Sequence, residues 1–275
     1  MSSAGYRDRR NQSDHGVQIR VQWRFDAQRD QLRWISGQIF NCIGLQIDAH
    51  LRMALIAPSV LGADFAHLAD EISSADRAGI SMYHLDIMDG HFVPNISFGP
   101  GIVRTVDKLT PGFLDVHLML SEPEEYFAPF AKAGADSITF HLEVHPDPLP
   151  IVKQLRELGV KAGISINPDM PIERVLPFLG SFDMLLVMSV FPGFGGQKFI
   201  ESSLSRVRVA REYIREHNLE TRIEVDGGVD GHNAAEIVAA GADVLVMGTG
   251  FFGRQDRKQL VESISMLEPR RVREL

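Results

Sequence analysis

The sequence predicts an α/β protein folded as a (β/α)8 TIM barrel, and three observations support this prediction. From Met53 onward, eight short segments rich in apolar and β-branched residues alternate with amphipathic stretches. Such segments are typical of parallel strands that are buried on both faces. The chain of 275 residues, 44% of them apolar, is long enough for one large core. An open doubly wound sheet would need a glycine fingerprint near its first strand, and the sequence has none there.

The predicted strands and helices follow one another in order along the chain. Asp64 can cap the helix after the first strand, and Pro123 suits the first turn of the helix after the third. Glycine recurs just before a strand, where a left-handed residue often ends the preceding helix. The predicted strands are 55–61, 82–87, 113–118, 137–142, 161–166, 184–190, 222–226 and 244–247. The glycines expected to end helices are Gly79, Gly134, Gly159, Gly180 and Gly241.

The first 52 residues differ in composition from the rest. They contain eight arginines, five aspartates, and neither lysine nor glutamate, so their net charge is +3, which leaves −11 for residues 53–275. So sharp a break indicates a boundary. The aspartates count against an organelle transit peptide, and no apolar segment follows Met1 as in a secretory signal. We expect residues 1–52 to be a disordered extension or no part of the functional protein, residues 53–275 to form the barrel, and deletion of residues 1–52 to leave activity intact.

Composition excludes several classes of partner. A net charge of −8 argues against a nucleic-acid surface. The sequence has no run of about 18 apolar residues, which excludes a membrane span. Cys42 is the only cysteine, which rules out a disulfide framework and favours a reducing compartment. We therefore expect a cytoplasmic protein that acts on a small molecule, and barrels of this kind commonly form homo-oligomers.

Two histidines and two aspartates stand at the exits of three predicted strands. His84 and Asp86 are two residues apart on one strand and so share a face. His117 and Asp226 stand at the ends of two others. Because chemistry in such barrels occurs where strands exit into βα loops, we expect these side chains to converge. Two imidazoles and two carboxylates suit one divalent metal ion (zinc, iron, manganese or cobalt), and carboxylates can also move protons.

Other residues on the same faces extend this prediction. Met88, Met119 and Met188 are expected to form a polarizable, water-poor wall beside the polar residues, although most methionines simply fill a core. His141 is expected to point inward, either as a core residue or as a neighbour of the metal ligands. Asp89, before a glycine, is expected in a turn. The histidines expected at the surface are His145, His217 and His232.

Glycine-rich loops follow the last three predicted strands, at residues 192–197, 226–228 and 248–250. Without Cβ atoms, such loops let backbone N–H groups face an anion. The late βα loops of barrels commonly bind phosphate. No Walker lysine pattern is present, so nucleotide hydrolysis is not indicated.

Six motifs together resemble the ribulose-phosphate 3-epimerase family. The resemblance runs from about Leu55 to about Gln255, in order and without large gaps, and leaves out residues 1–52. The motifs are Ile56-Ala57-Pro58-Ser59, His84-Leu85-Asp86-Ile87-Met88-Asp89-Gly90, Phe92-Val93-Pro94-Asn95, Asp115-Val116-His117-Leu118-Met119, Pro192-Gly193-Phe194-Gly195-Gly196-Gln197 and Val225-Asp226-Gly227-Gly228. The resemblance implies a ribulose-phosphate-binding type of (β/α)8 barrel that interconverts ribulose 5-phosphate and xylulose 5-phosphate in the pentose phosphate pathway with one divalent metal ion.

The resemblance also implies roles for individual residues. Asp86 and Asp226 would be the acid–base pair. The metal ligands would be His84, Asp86, His117 and Asp226. The contacts to the sugar and its phosphate would be Ser59, His117, Gly193, Phe194, Gly195, Gly196, Gly227, Gly228, Gly248 and Thr249.

Two positions depart from the family pattern. Thr249 replaces a usual serine but keeps the hydroxyl, whereas Phe191 replaces a usual asparagine and puts the sugar fit in question. A 3-epimerase of another ketose phosphate, such as allulose 6-phosphate, therefore stays open. A Schiff-base lyase would need a lysine at a strand exit, and only Lys198 lies near such a loop. A silent phosphosugar-binding protein would have no need of two proton-carrying aspartates.

Overall fold

The computed structural model describes residues 53–267 of the chain. Its eight strands are β1 (Leu55–Pro58), β2 (Met82–Met88), β3 (Phe113–Met119), β4 (Ser137–His141), β5 (Lys161–Ile166), β6 (Met184–Met188), β7 (Arg222–Asp226) and β8 (Val244–Met247). They lie parallel in the order β1-β8-β7-β6-β5-β4-β3-β2, and a bridge between Ser59 and His84 joins the two ends of the sheet. The predicted (β/α)8 barrel is confirmed. The prediction for residues 1–52 concerns a part of the chain outside the described residues.

Eight α-helices accompany the strands. They are α1 (Leu68–Ala78), α2 (Pro100–Leu109), α3 (Phe127–Ala133), α4 (Leu149–Glu157), α5 (Ser203–Glu216), α6 (Ala234–Ala240), α7 (Thr249–Phe252) and α8 (Arg257–Ser265). Between β5 and β6 the connection consists of two 3-10 segments, Ile172–Arg174 and Leu176–Ser181. Prolines 171 and 177 remove N–H donors that an α-helix would use there. Among the helices of the described residues, none has both the length and the apolar character needed to cross a bilayer.

The predicted ends of most elements are confirmed. Four of the five glycines before strands have a positive φ, between 75° and 121°, as expected where a left-handed residue ends a helix. Gly180 was predicted wrongly, because it lies inside the second 3-10 segment and has no positive φ. Asp64 accepts a hydrogen bond from the N–H of Ala66, and Pro123 begins a 3-10 turn that leads into α3. Strands β1 and β6 end three and two residues before their predicted limits, respectively.

The amino-terminal ends of the strands, here called the floor, are tied together by three aspartates. Each stands just before an even-numbered strand and accepts a hydrogen bond from a backbone N–H of the preceding strand. Asp136 accepts from Leu114 over 2.8 Å, and Asp183 accepts from Ala162 over 3.0 Å. Asp243 accepts from the N–H of Ile223 over 2.8 Å. The repeated Gly-Ala-Asp sequences at 134–136 and 241–243 therefore each end one helix and fasten two strands.

The side chains that fill the barrel change character from floor to mouth, the mouth being the carboxyl-terminal end of the strands. Near the floor the interior is apolar, with Met82, Met184 and Val244 in one cluster. Toward the mouth the inward positions become polar and remain buried, as at His84 and His117. Because every second residue of a strand points inward, this change follows directly from the strand sequences, and it places the buried histidines of the interior toward the mouth.

Candidate active site

The structure brings together the four side chains that the sequence predicted to converge. His84 and Asp86 lie on β2, His117 on β3, and Asp226 is the last residue of β7. Their ligand atoms all lie within 4.8 Å of one another. Asp86 and His117 are paired in the register of β2 and β3, so the two strands place them side by side. These four residues, here called the mouth cluster, lie toward the carboxyl-terminal ends of their strands.

Three atoms of the mouth cluster form a nearly equilateral triangle. Nε2 of His84 and Nδ1 of His117 each lie 3.3 Å from Oδ1 of Asp86, and the two nitrogens are 3.4 Å apart. Atoms that bind a tetrahedral zinc ion at about 2.0–2.1 Å lie about 3.3–3.4 Å from one another. The donor set of two imidazoles and two carboxylates also suits a divalent cation. The residues therefore fit the metal ion that the sequence led us to expect.

The ring of His84 is held from the floor side by Asp115. Nδ1 of His84 lies 2.8 Å from Oδ2 of Asp115, and both side chains are completely buried. A proton on Nδ1 is therefore donated to the carboxylate, which leaves Nε2 to face Asp86. Asp115 was not predicted as a site residue. It lies two residues before His117 on the same inward face of β3, and that spacing is the signal that could have marked it.

The ring of His117 is held by a contact with a third histidine, His141. Burial, followed by the nearby charges of His141 and His84, outweighs the hydrogen bond to Asp86 and lowers the pKa of His117 to about 4, so its ring is neutral. Its Nε2 lies 2.8 Å from Nε2 of His141. Nδ1 of His141 in turn lies 3.3 Å from a carboxylate oxygen of Glu143. Of the two interpretations of His141, the structure supports a residue that borders the mouth cluster, and it adds Glu143 beside it.

A second buried carboxylate, Glu224, lies beneath the mouth cluster. One of its oxygens is 3.5 Å from Nδ1 of His84, and within residues 53–267 neither oxygen accepts a hydrogen bond of good geometry. Burial first, and then the negative charge of Asp115, raise the pKa of Glu224 to about 8. Glu224 was not predicted either, although it lies two residues before Asp226 on the same face of β7.

The two aspartates of the mouth cluster differ in charge. Burial alone would favour a neutral Asp86, but the charge of His84 and the hydrogen bonds from both histidines outweigh it and hold the pKa of Asp86 well below its usual range. Burial and then the negative charge of Asp86 raise the pKa of Asp226 to about 7. Asp86 is therefore ionised, whereas Asp226 keeps its proton up to about neutral pH. Two carboxyl groups whose pKa values are pushed apart are typical of an acid–base pair.

Ser59 lies beside Asp86, and its predicted contact to the sugar stays a prediction. Its hydroxyl donates a hydrogen bond of 2.6 Å to Oδ2 of Asp86. Because both oxygens of Asp86 have neighbours in fixed positions, this carboxylate cannot rotate without losing contacts. Ser59 therefore orients Asp86 in this structure, whatever further contact it makes to a ligand.

The three methionines lie on two sides of the mouth. Met88 and Met119 pack together with Val93 and Phe92, and their strands pair them directly. Met188 lies in a separate apolar cluster and is paired with Asp226 on the neighbouring strand. All three are buried. The structure thus places apolar thioethers next to three of the four residues of the mouth cluster.

The three glycine-rich loops lie against one another along one side of the mouth. A Cβ atom at Gly228 would lie 2.4 Å from the backbone nitrogen of Phe199, and one at Gly250 would lie 2.7 Å from the carbonyl oxygen of Val229. By contrast, a Cβ atom at Gly195 or Gly196 would meet nothing within 4 Å. The first pair of glycines allows the loops to approach each other, and the second pair borders open space. Thr249 begins α7, directly beside this side of the mouth.

Loops after β2 and β6 contact each other at the rim. The amide of Asn95 donates to the carbonyl of Gly193 over 2.7 Å. Phe191 and Phe194 in the second loop are about half exposed. Asp89 accepts hydrogen bonds from the N–H groups of His91 and Phe92 and is a turn residue, as predicted.

Two of the three histidines expected at the surface are there. His217 and His232 are exposed. His145 is half-buried beside Glu124, with 2.7 Å between Nε2 and a carboxylate oxygen, so the surface prediction was wrong for that residue.

Comparison with known proteins gives a consistent answer. The family model described as the ribulose-phosphate 3 epimerase family matches residues 55–252. A ribulose-phosphate 3-epimerase of Bacillus subtilis is 44% identical over 213 residues, which cover 77% of this chain and 98% of that protein. A chloroplastic ribulose-5-phosphate-3-epimerase of Arabidopsis thaliana is 41% identical over 214 residues, 76% of this chain and 75% of that protein.

Solved structures share the fold at much lower sequence identity. The 3-hexulose-6-phosphate synthase of Salmonella typhimurium superposes with a TM-score of 0.55 at 16% identity, over 78% of this chain and 98% of that one. The orotidine 5'-phosphate decarboxylase of Pyrococcus horikoshii gives a TM-score of 0.55 at 16% identity, over 77% of this chain and 97% of that one. These similarities show the barrel fold alone.

Proposed function

The chain belongs to the ribulose-phosphate 3-epimerase family, and from that premise we propose that it interconverts D-ribulose 5-phosphate and D-xylulose 5-phosphate by proton transfer between two carboxylates. The observation that carries this proposal is the pair Asp86 and Asp226. They lie in one cluster, and their pKa values are displaced in opposite directions. A binding protein would have no need of such a pair.

The reaction inverts a carbon next to a ketone, which requires a proton to leave on one face and another to arrive on the opposite face. A single base tends to return the proton to the side it came from. Asp86 and Asp226 come from different strands, β2 and β7. In one direction the ionised carboxylate of Asp86 takes the C3 proton, and the protonated Asp226 donates to the other face of the enediolate. The reverse reaction exchanges the two roles.

The four residues of the mouth cluster would hold one divalent metal ion, and their chemistry leaves zinc, iron, manganese and cobalt open. When bound, such an ion would supply positive charge beside the substrate oxygens on which negative charge develops. Ser59 would keep Asp86 oriented and contact the sugar, with His117 beside it. Met88, Met119 and Met188 would keep bulk water away from the enediolate.

The phosphate would bind along the glycine-rich side of the mouth. Open space next to Gly195 and Gly196 leaves room for an anion. Within residues 53–267, the N–H groups of Gly195, Gly196 and Gly248 donate to no backbone carbonyl in a turn or loop. Such N–H groups can cradle a phosphate. The full proposed set is Gly193, Phe194, Gly195, Gly196, Gly227, Gly228, Gly248 and Thr249. Assembly into a homo-oligomer and a cytoplasmic location stay predictions from the sequence.

Proton exchange followed by NMR in D₂O tests the proposal. Ribulose 5-phosphate is added to the full chain loaded with Zn²⁺ or Mn²⁺, and in parallel to protein treated with a chelator. We expect xylulose 5-phosphate with deuterium at C3 in the loaded sample and at least a hundredfold slower exchange after chelation.

The other outcomes distinguish the alternatives. Turnover of allulose 6-phosphate without turnover of ribulose 5-phosphate would move the assignment to a six-carbon epimerase, for which Phe191 at the rim is the residue to examine. Exchange that survives complete metal removal would exclude the metal from the reaction. Silence on both sugars would reject Asp86 and Asp226 as a catalytic pair.

A further inference from the structure

We infer that Asp115 and His141 are positioning residues that select which ring nitrogen each ligand histidine presents to the metal ion, an inference that rests on the proposed function. Neither residue belongs to the mouth cluster. Both are completely buried. Each contacts the ring nitrogen of a ligand histidine that faces away from Asp86.

For His84 the selection is made by one carboxylate. A neutral imidazole carries its proton on one nitrogen and a lone pair on the other. Oδ2 of Asp115, 2.8 Å from Nδ1, can only accept when it is ionised, so the proton stays on Nδ1. Nε2, the atom 3.3 Å from Asp86, is then left with its lone pair for a metal ion. Without Asp115, the carboxylate nearest to Nδ1 would be Glu224 at 3.5 Å, and Asp86 at 3.3 Å from Nε2 would compete for the proton.

For His117 the selection is made through a chain of two side chains. The nitrogen near Asp86 is Nδ1 in this ring, so a metal ion can bind it only when the proton of the neutral ring resides on Nε2. Nε2 lies 2.8 Å from Nε2 of His141, which must therefore accept. His141 can accept there only if its own proton is on Nδ1, which lies 3.3 Å from a carboxylate oxygen of Glu143 without a hydrogen bond of good geometry. Glu143 is itself held by the N–H of Asn167, which donates to its other oxygen over 2.7 Å.

The carboxylate that contacts His84 and the carboxylate that contacts His141 differ in burial. Asp115 is sealed inside the barrel, whereas Glu143 is about one-fifth exposed. The ring of His141 also packs between Phe92 and His117, with centroids 4.7 and 5.0 Å away. His141 therefore restrains the tilt of the His117 ring as well as its proton. Loss of a group that orients a ligand histidine typically weakens metal binding by about 10–100-fold.

The test uses the full chain loaded with Co²⁺, whose visible absorption reports the ligand geometry. Release of Co²⁺ to an excess of chelator is followed in the same cuvette. We compare Asp115→Ala with Asp115→Asn, which keeps an acceptor oxygen, and His141→Phe with His141→Gln, which keeps an acceptor beside His117. Asp136→Ala serves as the control for a disturbed β3, because Asp136 accepts from the N–H of Leu114. His145→Phe is the control for loss of a histidine that pairs with a carboxylate elsewhere.

We expect Asp115→Ala and His141→Phe to release Co²⁺ about 10–100 times faster and to shift its absorption band. The conservative variants Asp115→Asn and His141→Gln should retain most of the wild-type behaviour, and both controls should match the wild type. Equal effects of Asp136→Ala and Asp115→Ala would reduce the role of Asp115 to general support of β3 and overturn the inference. Unchanged release in both Asp115→Ala and His141→Phe would overturn it as well. A wild type that binds no Co²⁺ would instead reject the proposed metal site itself.

Discussion

Aspartates lie at both ends of this barrel, and the two ends use them for different purposes. At the floor, Asp136, Asp183 and Asp243 each accept a hydrogen bond from a backbone N–H. At the mouth, Asp86 and Asp226 face imidazoles and each other. A backbone N–H cannot titrate or move away, so a carboxylate bound to it is fixed in position. A carboxylate beside histidines and another carboxylate has neighbours that can all exchange protons.

The comparison shows that position along the strand decides the role of a residue type. Floor aspartates precede their strands, where the adjacent strand offers unpaired N–H groups. Arg211 adds a second contact to Asp243, and Arg156 lies 3.2 Å from Asp183. Mouth aspartates sit on inward positions of β2 and β7, where the interior offers other side chains and no free backbone. We therefore expect substitutions at the floor to cost stability and substitutions at the mouth to cost activity.

The largest effect is expected from neutral substitutions in the mouth. Asp86→Asn and Asp226→Asn should each lower kcat at least about 10²–10⁴-fold, which is the usual contribution of a general acid or base. Steady-state epimerisation and thermal unfolding should be measured on the same samples. Both variants should still fold, because an amide has the shape of the carboxyl group, and thermal unfolding then separates loss of kcat from loss of folded protein. Near-normal epimerisation in either variant would exclude that aspartate from the chemistry. It would also contradict the assignment of mouth aspartates to activity and floor aspartates to stability.

A floor substitution should give the opposite pattern. Asp243→Ala leaves the N–H of Ile223 buried without its acceptor, and an unsatisfied buried donor costs about 1–3 kcal/mol. Urea unfolding should show this loss in the free energy of unfolding. The kcat of the folded fraction should stay within about twofold of the wild type, since no contact of the mouth is changed. A large fall in kcat with unchanged stability would contradict the assignment of Asp243 to structure.

The pH dependence of stability sharpens the comparison further. Burial and the charge of Asp115 raise the pKa of Glu224 from its ordinary 4.5 to about 8. Between these values the folded chain keeps a proton that the unfolded chain has lost, so stability falls as pH rises from about 4.5 to about 8. Glu224→Gln should reduce that slope by up to about 1.4 kcal/mol per pH unit. Urea titrations of the chelated protein at pH 5 and 8 measure it, and a slope unchanged by the substitution would exclude Glu224 as its source.

The smallest effect is expected at the rim of the mouth. Phe191 is about half exposed, and within residues 53–267 its side chain takes part in no ring contact. Phe191→Asn should therefore change the ratio of kcat/KM for ribulose 5-phosphate and allulose 6-phosphate by less than tenfold. Competition between the two sugars measures the ratio directly. A larger change would make Phe191 a determinant of sugar choice.

The sequence was sufficient to predict the strands and the mouth cluster, because two-residue spacing on a strand reports which face a side chain occupies. The same spacing does not show how far below the mouth a side chain lies or which other strands its side chain reaches. Asp115 and Glu224 share the inward face with His117 and Asp226, and only the assembled barrel shows that they lie one layer below and reach His84. The contact of His141 with His117 depends on the register of β3 and β4. The 3-10 connection before β6 also escaped prediction, because its prolines stand at positions that the apolar pattern does not mark.

The three floor hydrogen bonds also bear on how the chain folds. They join residues only 20 to 22 positions apart, so each closes a short loop at little entropic cost. By contrast, β1 must pair with β8 from the other end of the described chain. If short loops close first, this pairing forms late in folding. Asp86 and Asp226 belong to strands near the two ends of the sheet. Their mutual repulsion therefore arises only once the sheet closes, and the earlier folding steps proceed without it.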